Sequence, residues 1–463
     1  MTRRRLFPTP AEVEAATPDS RDRAIDVIRI GALITVVVGH TVMATSTIRD
    51  DVFIWSNLLA AAPVFQILTW VFQIMPLFFF AGVAAAVPSW RPGASWGDWL
   101  LRRCTRLYRP VFAYLVFWAA ALLVLRHLLP VHVYEPVAGI SWQLLWFLGA
   151  YVLVLAAVPR LSRITTTGRL VAAVTVTYAA VAVVDAVRVS VPGWSALGYL
   201  NLAVWLIPGM LGVGYRRGLL SGPAAFGVGA AMLAVNVALL RLGPYEVSLV
   251  GIEGQRLKNM TPPSLLLAGH AIMMCVFAIA AAPAIARWAR RPRVWQVVAV
   301  GNSGAMTLYL WHIPPLLAMH LVFAYLGWSR FDPHAPGFAA ASILQLAIMA
   351  VLVTVLFVAM RPVENTPLRC WDGGSVTGPG PRSAGVGVLL CVAGAATLAS
   401  VGWGLRGAGL VFVAVMLTAL CGARLLAGGT PAATASAAPA APPAGHNSPR
   451  SCAAATTPPA AGS

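Results

Sequence analysis

Apolar stretches of membrane-spanning length recur along the whole chain, at 25–45, 64–87, 110–129, 141–158, 169–187, 196–214, 222–241, 262–282, 297–322, 339–360, 384–402 and 407–426. A helix needs about 20 apolar residues to cross the hydrocarbon core, and inside it every backbone polar group must be satisfied within the protein. Twelve such stretches in 463 residues point to one fold class, all-α, a polytopic helical membrane protein embedded in a lipid bilayer. Composition agrees, with 59% hydrophobic and only 10% charged residues. The piece around Trp55–Ala62 is too short to span and reads as interfacial.

Charge orients the spans. With the N-terminus placed in the cytoplasm, 25 of the 33 Lys and Arg residues fall in inner segments. The outer segments keep Arg49, Arg126, Arg188, Arg241, Arg256, Lys258, Arg330 and Arg406. Strict alternation of basic and non-basic loops predicts an even span count, both termini cytoplasmic, in a multi-pass protein of the cell membrane. The net charge of +18 is thus topological, and no nucleic-acid partner is implied. Arg3–Arg5 ahead of an apolar run imitate a signal peptide, but Glu12, Glu14 and Asp19 intervene and no small-residue cleavage site follows Met43, so the first span is expected to be retained. The expected organisation is a polar cytoplasmic N-terminus (1–22), a membrane domain (23–370), an additional transmembrane hairpin (384–426) and a disordered Ala/Pro-rich tail (428–463). The six cysteines show no paired spacing and no two histidines share ligand spacing, so no disulfide framework, metal site or bound cofactor is expected.

Chemistry enters with Arg29 and His40 in the first stretch. Eleven helical steps of ~100° make three turns plus ~20°, so both lie on one face roughly 16 Å apart. Ionisable groups inside a span are costly and by default mark a functional site facing the protein interior. The alternative is that Arg29 snorkels to the headgroups and His40 only packs.

The surrounding residues resemble the acyltransferase-3 superfamily of integral membrane acyltransferases, whose signature is Arg, ten residues, His. Arg23–Asp26 through Arg29 to His40 is similar to its opening helix. Met75–Gly82 resembles the Phe-rich second helix, and Arg102, Arg103, Arg106 and Arg109–Pro110 the basic entry to the third. Trp146–Leu148 with Tyr151, Asn259–Ser264, Ser303 with Tyr309–Pro314, and Arg361–Pro367 follow in the family's order. Ala81 stands where many members carry Ser, so no polar role passes to it. The family core has ten spans, which leaves the last two and the tail outside the resemblance.

The resemblance implies acyl transfer from cytoplasmic acyl-CoA, with acetyl-CoA the favoured co-substrate, to a hydroxyl of a glycan, a lipid-linked saccharide or a secreted small molecule. A neutral His in a low-dielectric site suits the general base, here His40. Donor phosphates want arginine forks, and Arg29, Arg103 and Arg106 are the candidates; ordinary positive-inside anchoring explains Arg103 and Arg106 as well. The Arg29–His40 spacing is comparable with the reach of a phosphopantetheine arm. Tyr309 and His312 match the family pattern, although such a pair in a bundle is often a structural hydrogen bond. Glu364 could pair with Arg361 or reach an arginine of the donor mouth. Asn259 and Ser264 would lie in an outer acceptor loop, though a plain helix-start turn explains their prolines equally. His270 reads as core. No hydrolase-like outer domain is recognisable, so the acceptor would be handled by the membrane domain or a separate partner, and no obligate protein partner can be inferred. A twelve-span secondary transporter is the competing class. It lacks mid-membrane carboxylates, since Asp26 and Asp185 lie near span ends, and no internal repeat recurs.

Overall fold

The computed structural model describes residues 7–428 apart from 51, 192, 253, 256 and 329; the expected tail beyond Gly428 lies outside the described residues. Among the described residues, twelve helices are long and apolar enough to cross a membrane: Arg23–Met43, Pro63–Ser89, Trp96–Leu128, Val131–Leu161, Thr167–Ser190, Ser195–Arg216, Gly222–Leu242, Leu265–Trp288, Ala305–Tyr325, Phe338–Asn365, Pro381–Ser400 and Ala408–Ala427. Each falls on one of the apolar stretches, and the chain is an all-α polytopic membrane protein.

Three departures from the hydropathy reading shape the site. The third span is one 33-residue helix, ~50 Å long, because the basic stretch from Arg102 to Arg109 continues into the apolar part. Ser95 caps its start, accepting from the Asp98 amide at 3.2 Å. The ninth stretch, expected as one helix, is broken into Pro292–Asn302, Ala305–Trp311 and Ile313–Tyr325. Gly304 separates the first two, and Pro314 and Pro315 start the third, where their missing N–H groups cost nothing. The third departure is a β-hairpin between the first and second spans, ending inside the expected interfacial piece Trp55–Ala62, whose remainder is the short helix Leu58–Ala61. Strand β1 (Ala44–Arg49) pairs antiparallel with β2 (Val52–Asn57), with Ser46 opposite Trp55. Thr, Ile, Val and aromatic residues dominate both strands, as a pleated surface favours.

The eighth and ninth spans are 72% and 67% buried over their apolar windows, whereas the tenth is 11% and the fifth and seventh 17%. Spans eight and nine are therefore central. The last two helices are docked rather than appended. Gly149 and Gly394 let spans four and eleven touch backbone to backbone, since a Cβ on Gly149 would lie 2.5 Å from the Gly394 carbonyl. Trp142 Nε1 donates to Ser400 Oγ at 2.7 Å, and Ser95 Oγ to Ser383 Oγ at 2.8 Å.

The loops sort into two ends. Asp22 pairs with Arg216 at 2.9 Å, Trp295 Nε1 donates to Thr17 Oγ1 at 2.7 Å, and Arg109 pairs with Asp372. At the other end Arg330 Nη2 donates to the Val42 carbonyl at 2.6 Å, Trp70 Nε1 to the Val247 carbonyl at 2.9 Å, and Arg406 pairs with Glu135. Segments expected on one side contact one another, as alternation of the loop charges requires.

Candidate active site

His40 occupies the last turn of the first span, and His312 the joint between two pieces of the ninth. The break brings the rings together: His40 Nδ1 lies 2.9 Å from His312 Nε2, with ring centroids 5.2 Å apart and planes 22° from parallel. The far nitrogen of His312, Nδ1, lies 3.3 Å from the Leu308 carbonyl. A carbonyl only accepts, so a hydrogen bond there assigns the proton of neutral His312 to Nδ1. Its Nε2 is then an acceptor, and His40 must donate from Nδ1. That tautomer leaves His40 Nε2 as an unprotonated lone pair, the form a general base needs. One backbone carbonyl thus sets the proton positions of both rings.

The joint itself is held by Glu364, which accepts from the Thr307 amide and Thr307 Oγ1, each at 2.8 Å, and from the Met306 amide at 3.4 Å. This is an anionic cap on the helix that ends at Trp311, immediately before His312. The pair with Arg361 does not form: Arg361 Nε donates instead to Ser303 Oγ at 2.8 Å, and Glu364 has no salt bridge among the described residues, although Arg29, an arginine of the expected donor mouth, acts on it electrostatically. The carboxylate is better matched by two backbone N–H groups and a hydroxyl than by an arginine that can stay near water. Tyr309 is also spent on structure, donating from its hydroxyl to the Leu144 carbonyl at 2.7 Å, in the turn that divides the fourth span into Val131–Ile140 and Leu145–Leu161. Its ring stands edge-on to His312, centroids 6.3 Å apart.

Arg29 does not snorkel freely. Its Nε donates to Asn302 Oδ1 at 2.6 Å, and Asn302 is itself held by the Asp26 and Val298 carbonyls at 2.9 and 3.0 Å. Asp26 stands 3.8 Å from Nη2 but is already engaged by Arg21 Nη2 at 2.9 Å. The terminal edge of the Arg29 fork therefore keeps donors for a ligand. Arg103 is drawn inward beneath Ser89 and over the Trp99 ring, 3.7 Å from its centroid, and donates to the Trp99 carbonyl at 3.1 Å. Arg29 and Arg103 both act electrostatically on the half-buried Tyr151, so the first, third and fourth spans converge there. Tyr151 fits because position 82 is glycine; a Cβ there would overlap the phenol. Gly82→Ala should cost ~1–3 kcal/mol by overpacking. Adding Tyr151→Leu should return most of that stability, as read by thermal unfolding of the solubilised protein; no recovery in the double variant would mean the strain lies elsewhere.

The other candidates separate. Arg106 is exposed, with no hydrogen bond or ion pair among the described residues, although it remains an electrostatic neighbour of Arg103. Asn259 and Ser264 are fully buried and satisfy each other, Ser264 Oγ donating to Asn259 Oδ1 at 2.7 Å, while Asn259 Nδ2 donates to the Glu246 and Ser248 carbonyls at 2.8 Å. They brace the loop into the eighth span and present no polar atom to an acceptor. His270 is buried, with Nε2 3.1 Å from the Gln73 carbonyl. Asn302 and Thr307 are residues the sequence reading missed, and Tyr151 entered it only as part of a matching stretch, with no role. Asn302 sits directly before Ser303 in a stretch read as uninterrupted span, so nothing local marked it.

The fold and site define an integral membrane protein with a pair of hydrogen-bonded imidazoles at one end of the helix that carries Arg29. The family model described as an acyltransferase domain matches residues 22–361, and the chain belongs to the acyltransferase-3 family. It is a membrane-embedded acyltransferase. Comparison with curated proteins and with solved structures found no match.

Proposed function

We propose that the protein transfers an acyl group, with acetyl favoured, from cytoplasmic acyl-CoA to a hydroxyl of a glycan, a lipid-linked saccharide or a secreted small molecule. The observation that carries this reading is the His40–His312 pair, which leaves an unprotonated imidazole nitrogen on the helix face that begins at Arg29. The donor phosphates bind at Arg29 and Arg103, with Arg106 as an outer electrostatic contact. The pantetheine arm then runs along the first span and delivers the thioester carbonyl to His40. His40 Nε2 takes the acceptor hydroxyl proton as the oxygen attacks, and the thiolate leaves toward the donor side. Binding two substrates in one site gives the effective-concentration advantage of an intramolecular reaction. Residues 23–370 carry this chemistry, and 384–426 brace spans three and four.

Membranes containing the protein, supplied with labelled acetyl-CoA, should release CoA and acquire label in a glycan or small-molecule fraction. Mass spectrometry of envelope glycans and secreted metabolites from a strain lacking the protein should show one ester missing. An unchanged ester inventory in both would defeat the reading.

The orientation is part of the proposal and rests on the 25 inner Lys and Arg residues among 33. Reporters fused after Ala427 and within 245–258 should read cytoplasm and exterior respectively. An external signal after Ala427 would remove one crossing.

A further inference from the structure

Away from the histidine pair, a cavity of about 290 Å³ opens at the end of the bundle opposite Arg29, lined in part by Arg188, Ser195, Gln255, Lys258, Thr261 and Pro262. Arg188 is the unusual member. Its side chain is 4% exposed and its Nε lies 2.8 Å from Asp185 Oδ1, yet its Nη2 is buried with no hydrogen-bond partner. Asp185 balances the charge but leaves the Nη2 donor unmet, because its oxygens also accept from Asn201 Nδ2 at 2.6 Å, the Tyr245 hydroxyl at 3.0 Å and the Leu265 amide at 2.7 Å. Lys258 adds a second cation, and the described lining holds no carboxylate. Gln255 Oε1 is also buried without a partner. Gly198 makes the space, since a Cβ there would come within 2.8 Å of Arg188 Nη1 and 2.5 Å of Pro262 Cγ.

Buried donors without acceptors are costly, and a bound anion is the group that removes that cost while matching a guanidinium fork. Ser195 and Thr261 supply hydroxyls, and Gln255 a carbonyl oxygen, for a hydroxylated ligand. We propose that this cavity binds a carboxylate or phosphate carried on a sugar, and that it selects an anionic acceptor for acyl transfer. The selection clause rests on the transfer reading above; the anion site does not. Its wall leads toward the base. Asn259 in that loop donates to the Ser248 carbonyl, the Leu249 amide donates to Thr69 Oγ1 at 3.0 Å, and Gln73 Nε2 reaches Met260 Sδ at 3.4 Å. Phe72, in the same short segment, packs over Gly39 beside His40.

The test uses the full-length protein in phosphatidylcholine nanodiscs and reads saturable thermal stabilisation by glucuronate, inorganic phosphate or glucose, and by phosphatidic acid added to the disc. Glucuronate and phosphate should stabilise and glucose should not. Lys258→Gln should weaken the apparent glucuronate affinity about tenfold, the loss of one charge-assisted contact. Arg188→Lys, which keeps the charge facing Asp185 but loses the fork, should weaken it at least as much. His40→Ala should bind glucuronate as the wild type does, so a failure of the acyl-transfer reading leaves this result standing. No saturable stabilisation overturns the proposal, as does an effect unchanged in both cavity variants. Stabilisation by phosphatidic acid with none by glucuronate makes the cavity a lipid headgroup site and overturns it too.

Discussion

His40→Gln leaves the protein inserted and folded but without measurable acyl transfer. Glutamine retains a hydrogen-bonding end at the position of the imidazole, yet it cannot take a proton at working pH, and general-base catalysis of this kind is worth about 10²–10⁴-fold. His40→Ala should be equally inactive. The neighbouring ring makes the test sharper. If His312 only fills space, His312→Leu should behave like His312→Gln. If it fixes the tautomer of His40, Gln can still accept from His40 Nδ1 through its side-chain oxygen, whereas Leu cannot. Expected losses are within about tenfold for Gln and about a hundredfold for Leu, by analogy with other bases oriented by a third group. Rates from membranes normalised to protein level decide it. Substantial activity in His40→Gln would return His40 to packing, and equal Leu and Gln variants would remove the orienting role of His312.

The fold was legible because a hydrocarbon solvent leaves few alternatives, and a run of apolar residues such as 339–360 can hardly be anything but a span. Hydropathy failed where polarity and helix part company. The helix from Trp96 to Arg109 is basic and amphipathic, so it carried no hydropathy signal, and Ser303–Gly304 broke a stretch that composition alone joins. The hairpin Ala44–Asn57 had the right β-branched residues but sat between two strong helical stretches that dominated the reading. Within the site, Arg29 and His40 stood out because ionisable groups in a span are anomalous. His312 stood out less, and its contact with His40 depends on the break before Pro314, which spacing did not reveal. Asn302 and Tyr151 are neither charged nor rare, and only packing brings them to arginines distant in sequence. Glu364 feels Arg29 as its place near the donor mouth suggests, but its acceptors are filled by the amides of a helix start that does not exist in the hydropathy reading.

Arg29→Lys separates an anchor from a ligand-binding fork. Lysine snorkels as well as arginine, so an anchor would tolerate it with little change. The structure already ties the guanidinium inward through Nε to Asn302 at 2.6 Å, a bond a primary amine cannot make while also presenting a planar pair of donors outward. Lysine must then choose between Asn302 and the donor phosphate. Losing one charge-assisted hydrogen bond of ~1.5–3 kcal/mol should raise the donor requirement roughly ten- to a hundredfold, with acceptor dependence little altered. Arg29→Ala should be worse, while insertion stays normal because Arg3–Arg5, Arg21 and Arg23 still hold the N-terminus inside. Asn302→Leu supplies the independent arm, since it leaves the charge in place and removes only what aims it. It should raise the donor requirement in the same direction as Lys, and combined with Arg29→Lys it should add less than the sum, as expected for two residues acting through one contact. Donor titration of membranes carrying the wild type and the four variants measures this. Unchanged donor dependence in the Lys variant would make Arg29 an anchor, and additive effects would mean that Asn302 acts on the fold rather than on the fork.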